Sequence, residues 1–165
     1  TILKKRQAFR NAFASFIPEA VAAFTDQDRE RLMQDAGIVR NKRKIDAAIT
    51  NAQAVIALRG ALAAEADAHR AGRMGEAPLE HLLRPRQDYP RHLGDLVWLY
   101  QPSHQPRPRS AQDVPAQTEE SHALSLELKR RGFVFVGPVT ALALMSAIGI
   151  TNTDIIGTWK RPSNE

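Results

Sequence analysis

The chain has 165 residues, of which 43% are hydrophobic and 25% charged, so it suits one globular domain that buries roughly two thirds of its unfolded surface. No apolar run approaches the roughly 18 residues that span a bilayer, which argues against a membrane protein, and the absence of cysteine removes every thiolate ligand and cysteine nucleophile while fitting a reducing, cytoplasmic setting. A net charge of +5 with a pI near 10.0 favours a polyanionic partner or reflects a plain basic surface.

The chain opens Thr1-Ile2-Leu3 with no leader-like segment and reads as a piece that starts within a helix. Over residues 1–16, Ile2, Leu3, Phe9, Phe13 and Phe16 form a helical apolar stripe, with Lys4, Lys5, Arg6 and Arg10 on the other faces. Ile17-Pro18 stops that helix and starts a short one through Val21 and Phe24. Thr25 is the expected N-cap of a third helix, with acidic Asp26 and Asp28 in its first turn and Gly37 at its end.

A long helix follows, in which Ile45, Ala48, Ile49, Ala52, Val55 and Ile56 recur at spacings of three and four. Arg40, Lys42, Arg43 and Lys44 cluster at its start, where cations oppose the helix dipole; they are either a solvated face or a phosphate-facing patch. Residues 60–92 read as a longer loop or insertion, although Ala61 to Arg70 could prolong the helix before Gly72, Gly75 and Pro78 punctuate it. Leu93 to Tyr100 is a short apolar helix in which Trp98 is expected in the core. Pro102, Pro106, Pro108 and Pro115 then mark an extended connection carrying Arg107 and Arg109.

Residues 122–149 hold the most informative pattern. A basic helix from about His122 to Arg131 ends at Gly132, and a second helix opens at Pro138 and ends at Gly149. The corner Val136-Gly137-Pro138 leaves backbone N–H groups at a helix N-terminus, an anion site suited to a nucleic-acid phosphate. The remaining Thr151 to Trp159 segment is turn-rich, and the last six residues look frayed. Strand-like alternation does not persist beyond Phe133 to Val136, so the expected fold is an all-α helical bundle with a helix-hairpin-helix motif, in one domain of residues 1–165. Histidines 69, 81, 92, 104 and 122 show no metal-ligand spacing, and no internal repeat is present.

The hairpin and the Gly37 to Ile45 segment together resemble the helix-hairpin-helix DNA repair glycosylases, and specifically the DNA-3-methyladenine glycosylase I family. The blocks that carry the resemblance come in order. They are Thr1-Ile-Leu-Lys-Lys-Arg6, Phe9-Arg-Asn-Ala-Phe13, Leu32-Met-Gln-Asp-Ala-Gly-Ile-Val-Arg40, Lys44-Ile-Asp-Ala-Ala-Ile-Thr-Asn-Ala52 and Leu124-Ser-Leu-Glu-Leu-Lys-Arg-Arg-Gly-Phe-Val-Phe-Val-Gly-Pro-Val-Thr-Ala141.

The resemblance implies excision of 3-methyladenine from alkylated duplex DNA by hydrolysis of the N-glycosidic bond, in the bacterial cytosol or nucleoid, by a monomer with no membrane partner and no cofactor. It implies that backbone groups at Phe135, Val136, Gly137, Pro138 and Thr140 hold a phosphate, with Lys129, Arg130, Arg131, Lys42 and Lys44 as further DNA contacts. The family's pocket glutamate and stacking aromatics match positions before Thr1, so the catalytic pocket is expected outside this chain, which by itself is then inactive. The family's C-terminal zinc ligands, a histidine and a cysteine four residues later, match Asp154 and Thr158, which do not reproduce them. Asp154 is also a candidate catalytic aspartate by comparison with other glycosylases of the superfamily, against a plain turn or cap residue. A non-catalytic helix-hairpin-helix DNA-binding module is the alternative function, and a helical interaction protein with incidental basic charge a third.

Overall fold

A computed structural model describes residues 3–85 and 87–158, so the expected part of Ile2 in the first stripe, Trp159 and the last six residues lie outside the described residues. Seven α-helices occur among the described residues, with no strand: α1 (Arg6–Ala12), α2 (Pro18–Ala22), α3 (Asp26–Gln34), α4 (Lys42–Arg70), α5 (Leu93–Trp98), α6 (Glu119–Arg130) and α7 (Pro138–Ala147). The all-α expectation is met.

α4 is the spine. Asn41 caps it by accepting a hydrogen bond from the Lys44 N–H at 3.1 Å. Its 29 residues extend for about 43 Å at 1.5 Å per residue. The N-terminal half of α4 gives Ile45, Ile49 and Ala52 to a core shared with Ala12, Phe13, Val21, Leu32 and Ile38 from α1 to α3 and the segment after them. Its C-terminal half gives Ala54, Leu58, Leu62 and Ala66 to a second core with Leu96, Leu124, Leu128, Phe133, Met145 and Ile150.

By length and apolar composition alone α4 could cross a membrane, contrary to the reading that no such segment exists. That reading looked for an uninterrupted apolar run, whereas α4 intersperses Asp46, Asn51, Gln53, Arg59 and Glu65 among its apolar residues. These polar residues surround a stripe that both cores cover, as befits a central helix of a bundle.

Local rules explain most of the helix ends. Thr25 and Asp28 form a reciprocal capping box at α3, the Thr25 N–H donating to Asp28 Oδ2 at 2.9 Å. Thr118 and Ser121 do the same at α6, which therefore starts at Glu119, three residues before the expected His122. Gly132 and Gly149 adopt φ of 87° and 82° just past α6 and α7, the left-handed region that ends helices at glycine.

Four expectations change. Ala61 to Arg70 is the last part of α4, so the irregular segment starts at Ala71, and Ala77, Leu79 and Tyr89 within it belong to the second core. Trp98 is 44% exposed because Leu96, Val97 and Tyr100 occupy the inward face of that turn. Leu3 and Phe16 are 84% and 52% exposed. The first apolar stripe is broken because α1 ends at Ala12, and Ala14, Ser15 and Phe16 take φ of 48°, 57° and 59° in a left-handed turn that lays the Phe16 ring parallel to Phe13, centroids 5.5 Å apart.

Candidate nucleic-acid interface

Gly137 is the N-cap of α7 and Pro138 its first residue. Proline has no N–H to donate there and its fixed φ suits the position. No side chain caps this helix. The first helical bond is Ala141 N–H to the Gly137 carbonyl, 2.9 Å. Hence the N–H groups of Gly137, Val139 and Thr140 have no acceptor among the described residues.

The identity of residue 137 has no internal explanation. Its φ of −76° and ψ of 166° suit any residue, and a Cβ built there would meet nothing within 4 Å. A Ser, Thr or Asp would cap α7 better, by roughly a few tenths of a kcal/mol on usual values. A glycine that the fold does not need leaves the helix dipole and its N–H groups open to an anion.

The turn before α7 is held from two directions. The Val134 N–H donates to Asn51 Oδ1 at 2.8 Å, and Asn51 Nδ2 returns a bond to the Val134 carbonyl at 3.1 Å. Ser125, buried on α6, donates its hydroxyl to the Val136 carbonyl at 2.6 Å. Between these anchors Phe135 adopts φ of 58°, unusual for an aromatic residue, and is 50% exposed. The Arg43 guanidinium lies over its ring, 5.5 Å from the centroid.

That contact joins the hairpin to the basic start of α4. Lys42, Arg43 and Lys44 are all exposed there, and the first turn holds no acidic residue. The arrangement opposes the dipole by some tenths of a kcal/mol per charge. Asp46 offsets it in part through a 3.0 Å contact with Lys42 Nζ. An anion seated beside both elements would relieve it further.

The sequence-predicted contacts divide into two groups. Phe135, Val136, Gly137, Pro138 and Thr140 sit together on the hairpin, while Lys129 and Arg130 are exposed in the last turn of α6. Arg131 is a correction. Its side chain is only 6% exposed and forks onto Glu65, Nη1 to Oε1 at 3.0 Å and Nη2 to Oε2 at 2.9 Å, with Glu127 as a second partner. It crosses inward to α4 and cannot reach a phosphate. Arg130 is 55% exposed and pairs with Glu127 at 2.8 Å.

Asp154 lies beyond the C-terminal end of α7, in a polar concavity with Ser146, Ala147, Thr151 and Thr153. Its N–H donates to Asn152 Oδ1 at 2.9 Å, an Asx-type turn. Thr158 donates its hydroxyl to the Ile155 carbonyl at 2.8 Å. A carboxylate and an engaged hydroxyl do not make the imidazole and thiolate set that the resemblance associates with zinc, so these residues do not fit that metal.

Two residues that hold the turn, Asn51 and Ser125, are not among the sequence-predicted contacts, whereas Arg43 belongs to the basic cluster at the start of α4 that the sequence offers as a solvated face or a phosphate-facing patch. Asn51 belongs to the resemblance block that starts at Lys44, but its partner is 83 positions away.

Comparison with known proteins is consistent with this architecture. The methyladenine glycosylase family model matches residues 1–92 and 83–161. DNA-3-methyladenine glycosylase 1 of Escherichia coli (strain K12) is 35% identical over 168 residues, spanning 100% of this chain and 74% of that protein. DNA-3-methyladenine glycosylase of Haemophilus influenzae is 32% identical over 155 residues, spanning 92% of this chain and 68% of that protein. A crystal structure of 3-methyladenine DNA glycosylase I superposes with a TM-score of 0.73 at 31% identity, covering 97% of this chain and 74% of that one. The Staphylococcus aureus enzyme, solved to explain its recognition of 3-methyladenine, gives a TM-score of 0.71 at 26% identity, covering 99% and 71%. The chain belongs to the methyladenine glycosylase family.

Proposed function

We propose that this chain forms the DNA-gripping part of a glycosylase that excises 3-methyladenine from alkylated duplex DNA by hydrolysis of the N-glycosidic bond. The observation that carries the reading is the open, glycine-led N-terminus of α7, with the exposed Arg43 guanidinium over Phe135 of the turn that leads into it, in a chain of this family. A phosphate accepts from the free N–H groups at Gly137, Val139 and Thr140, with Phe135, Val136 and Pro138 shaping the turn around it. Lys42, Lys44, Lys129 and Arg130 add sequence-independent attraction along the backbone.

The chemistry demands such a grip. The target base must leave the stack, which costs a few kcal/mol, and phosphate contacts on its flanks help hold the opened duplex. A methylated, cationic adenine is already a good leaving group, so shape and acceptors around the base matter more than a strong acid. Those groups are assigned by resemblance to positions upstream of Thr1, and Asp154 is read as a turn residue. The protein acts as a monomer in the bacterial cytoplasm, and residues 71–92 are extra length packed on the C-terminal half of α4.

The test is to incubate the 165-residue chain with alkylated duplex DNA and to measure retained duplex and released base separately. Retention without free 3-methyladenine is expected. Release of the base would overturn the assignment of the pocket to upstream residues, and absence of any duplex binding would overturn the grip.

A further inference from the structure

We propose that Asn51 is a positioning residue for the DNA grip: its carboxamide fixes the backbone at Val134 and so sets the hairpin's distance and angle from the basic start of α4. The proposal rests on the reading of the hairpin as a phosphate site. Asn51 makes two bonds to the backbone of one residue, accepting at 2.8 Å from the Val134 N–H and donating at 3.1 Å to the Val134 carbonyl. A paired donor and acceptor fixes orientation as well as distance, which one bond alone would not.

The geometry shows what is being held. Phe135 follows immediately, in a left-handed conformation that persists in a non-glycine residue only where its surroundings over-determine it. Asn51 on one side and the Ser125 hydroxyl on the Val136 carbonyl on the other supply that constraint, and Arg43 closes over the ring. Asn51 also stands on the same rigid helix as Lys42 and Lys44, seven to nine residues further on. One helix therefore carries two of the proposed phosphate contacts and the clamp that places the hairpin. A phosphate backbone is a regularly spaced ligand, so affinity depends on that separation being fixed before DNA arrives.

The contact lies at the surface, so the core does not depend on it, and alanine favours a helix interior more than asparagine does. Asn51→Ala is thus expected to fold. Gln53→Ala is the control. It removes a comparable bond from α4 to a backbone carbonyl, that of Ala22 at 3.3 Å, which does not touch the hairpin.

Each variant is titrated with a short fluorescent DNA duplex at several salt concentrations, and hairpin amide exchange is followed by NMR. Asn51→Ala is expected to weaken binding about tenfold with an unchanged salt slope, because no charge is lost. It is also expected to speed exchange at the Val134 N–H, while Gln53→Ala stays at the parent's affinity. Ser125→Ala, which frees the other side of Phe135, is expected to shift binding in the same direction. Parent-like affinity in Asn51→Ala, or an equal loss in Gln53→Ala, overturns the proposal. Gly137→Glu separates the two levels. If it weakens binding and Asn51→Ala does not, only the positioning role fails; if neither does, or if the parent itself does not bind, the phosphate reading fails and the proposal with it.

Discussion

Arg131 of α6 and Glu65 of α4 form a two-pronged ion pair across 66 positions of sequence, with N–O distances of 3.0 and 2.9 Å. Tyr89 donates its hydroxyl to the same carboxylate at 2.8 Å, and burial together with that bond pushes the phenol well above its usual range. The network ties the helix that leads into the hairpin to the spine of the fold.

Removing Arg131 leaves the largely buried Glu65 carboxylate without its cation and with the Tyr89 hydroxyl alone, while Glu127 keeps Arg130. Arg131→Ala is expected to destabilise the fold by about 3–5 kcal/mol. Arg130→Ala, at an exposed pair one residue earlier, is expected to cost only about 0–1 kcal/mol. Urea unfolding of the two variants checks this. Similar small losses in both would contradict the inward role of Arg131.

Glu127 gives the fold a pH dependence. Burial pushes its carboxyl up, but hydrogen bonds from Arg130 and Arg131 outweigh burial and hold the folded value below 4.5, the unperturbed value. A depressed folded pKa contributes stability that is fully present above the unfolded value and is lost as pH falls through the folded one. The parent's advantage over Glu127→Gln is therefore expected to be largest near neutral pH and to shrink below about pH 4.5. Urea midpoints measured across the acid range test it, and a constant difference at every pH would refute it.

Gly137 separates stability from binding. Alanine fits there without a clash, and its poorer capping opposes its smaller unfolded-state entropy. Gly137→Ala is expected to change stability by less than about 1 kcal/mol. Its Cβ stands where the phosphate approaches, so DNA affinity is expected to fall by roughly threefold or more. Thermal unfolding and a DNA titration on the same sample measure both.

Lys42 and Lys44 are expected to act through charge alone. Neutralising either to alanine should lower the slope of log K against log salt by about 0.9. The slopes are read from titrations at several salt concentrations. An unchanged slope in both variants would place the start of α4 away from the DNA.

The hairpin was legible in the sequence because its signals are local. Glycine past a helix end, proline at a first turn and Thr or Ser at a cap each act within four residues, and Gly132, Pro138, Gly149 and Thr25 all follow those rules. What was not legible depends on distant partners. Arg131 looks like Arg130 until Glu65 is placed beside it, and Asn51 is one more polar residue on a helix until Val134 arrives. Apolar periodicity likewise extended the first stripe to Phe16, because it carries no sign of the left-handed turn at Ala14 to Phe16. An aromatic at helical spacing points Trp98 to the core, whereas Leu96, Val97 and Tyr100 fill the buried side.

The most direct measurement is a DNA-duplex titration of the parent and Gly137→Glu, paired with their unfolding curves. A carboxylate at the open end of α7 would meet the incoming phosphate as a like charge, while the fold has room for the side chain's first carbon. Affinity weakened by at least about tenfold, with the unfolding transition retained, is the expected result for a phosphate held at this helix end. Equal affinity in variant and parent would contradict it and remove the hairpin from the DNA interface.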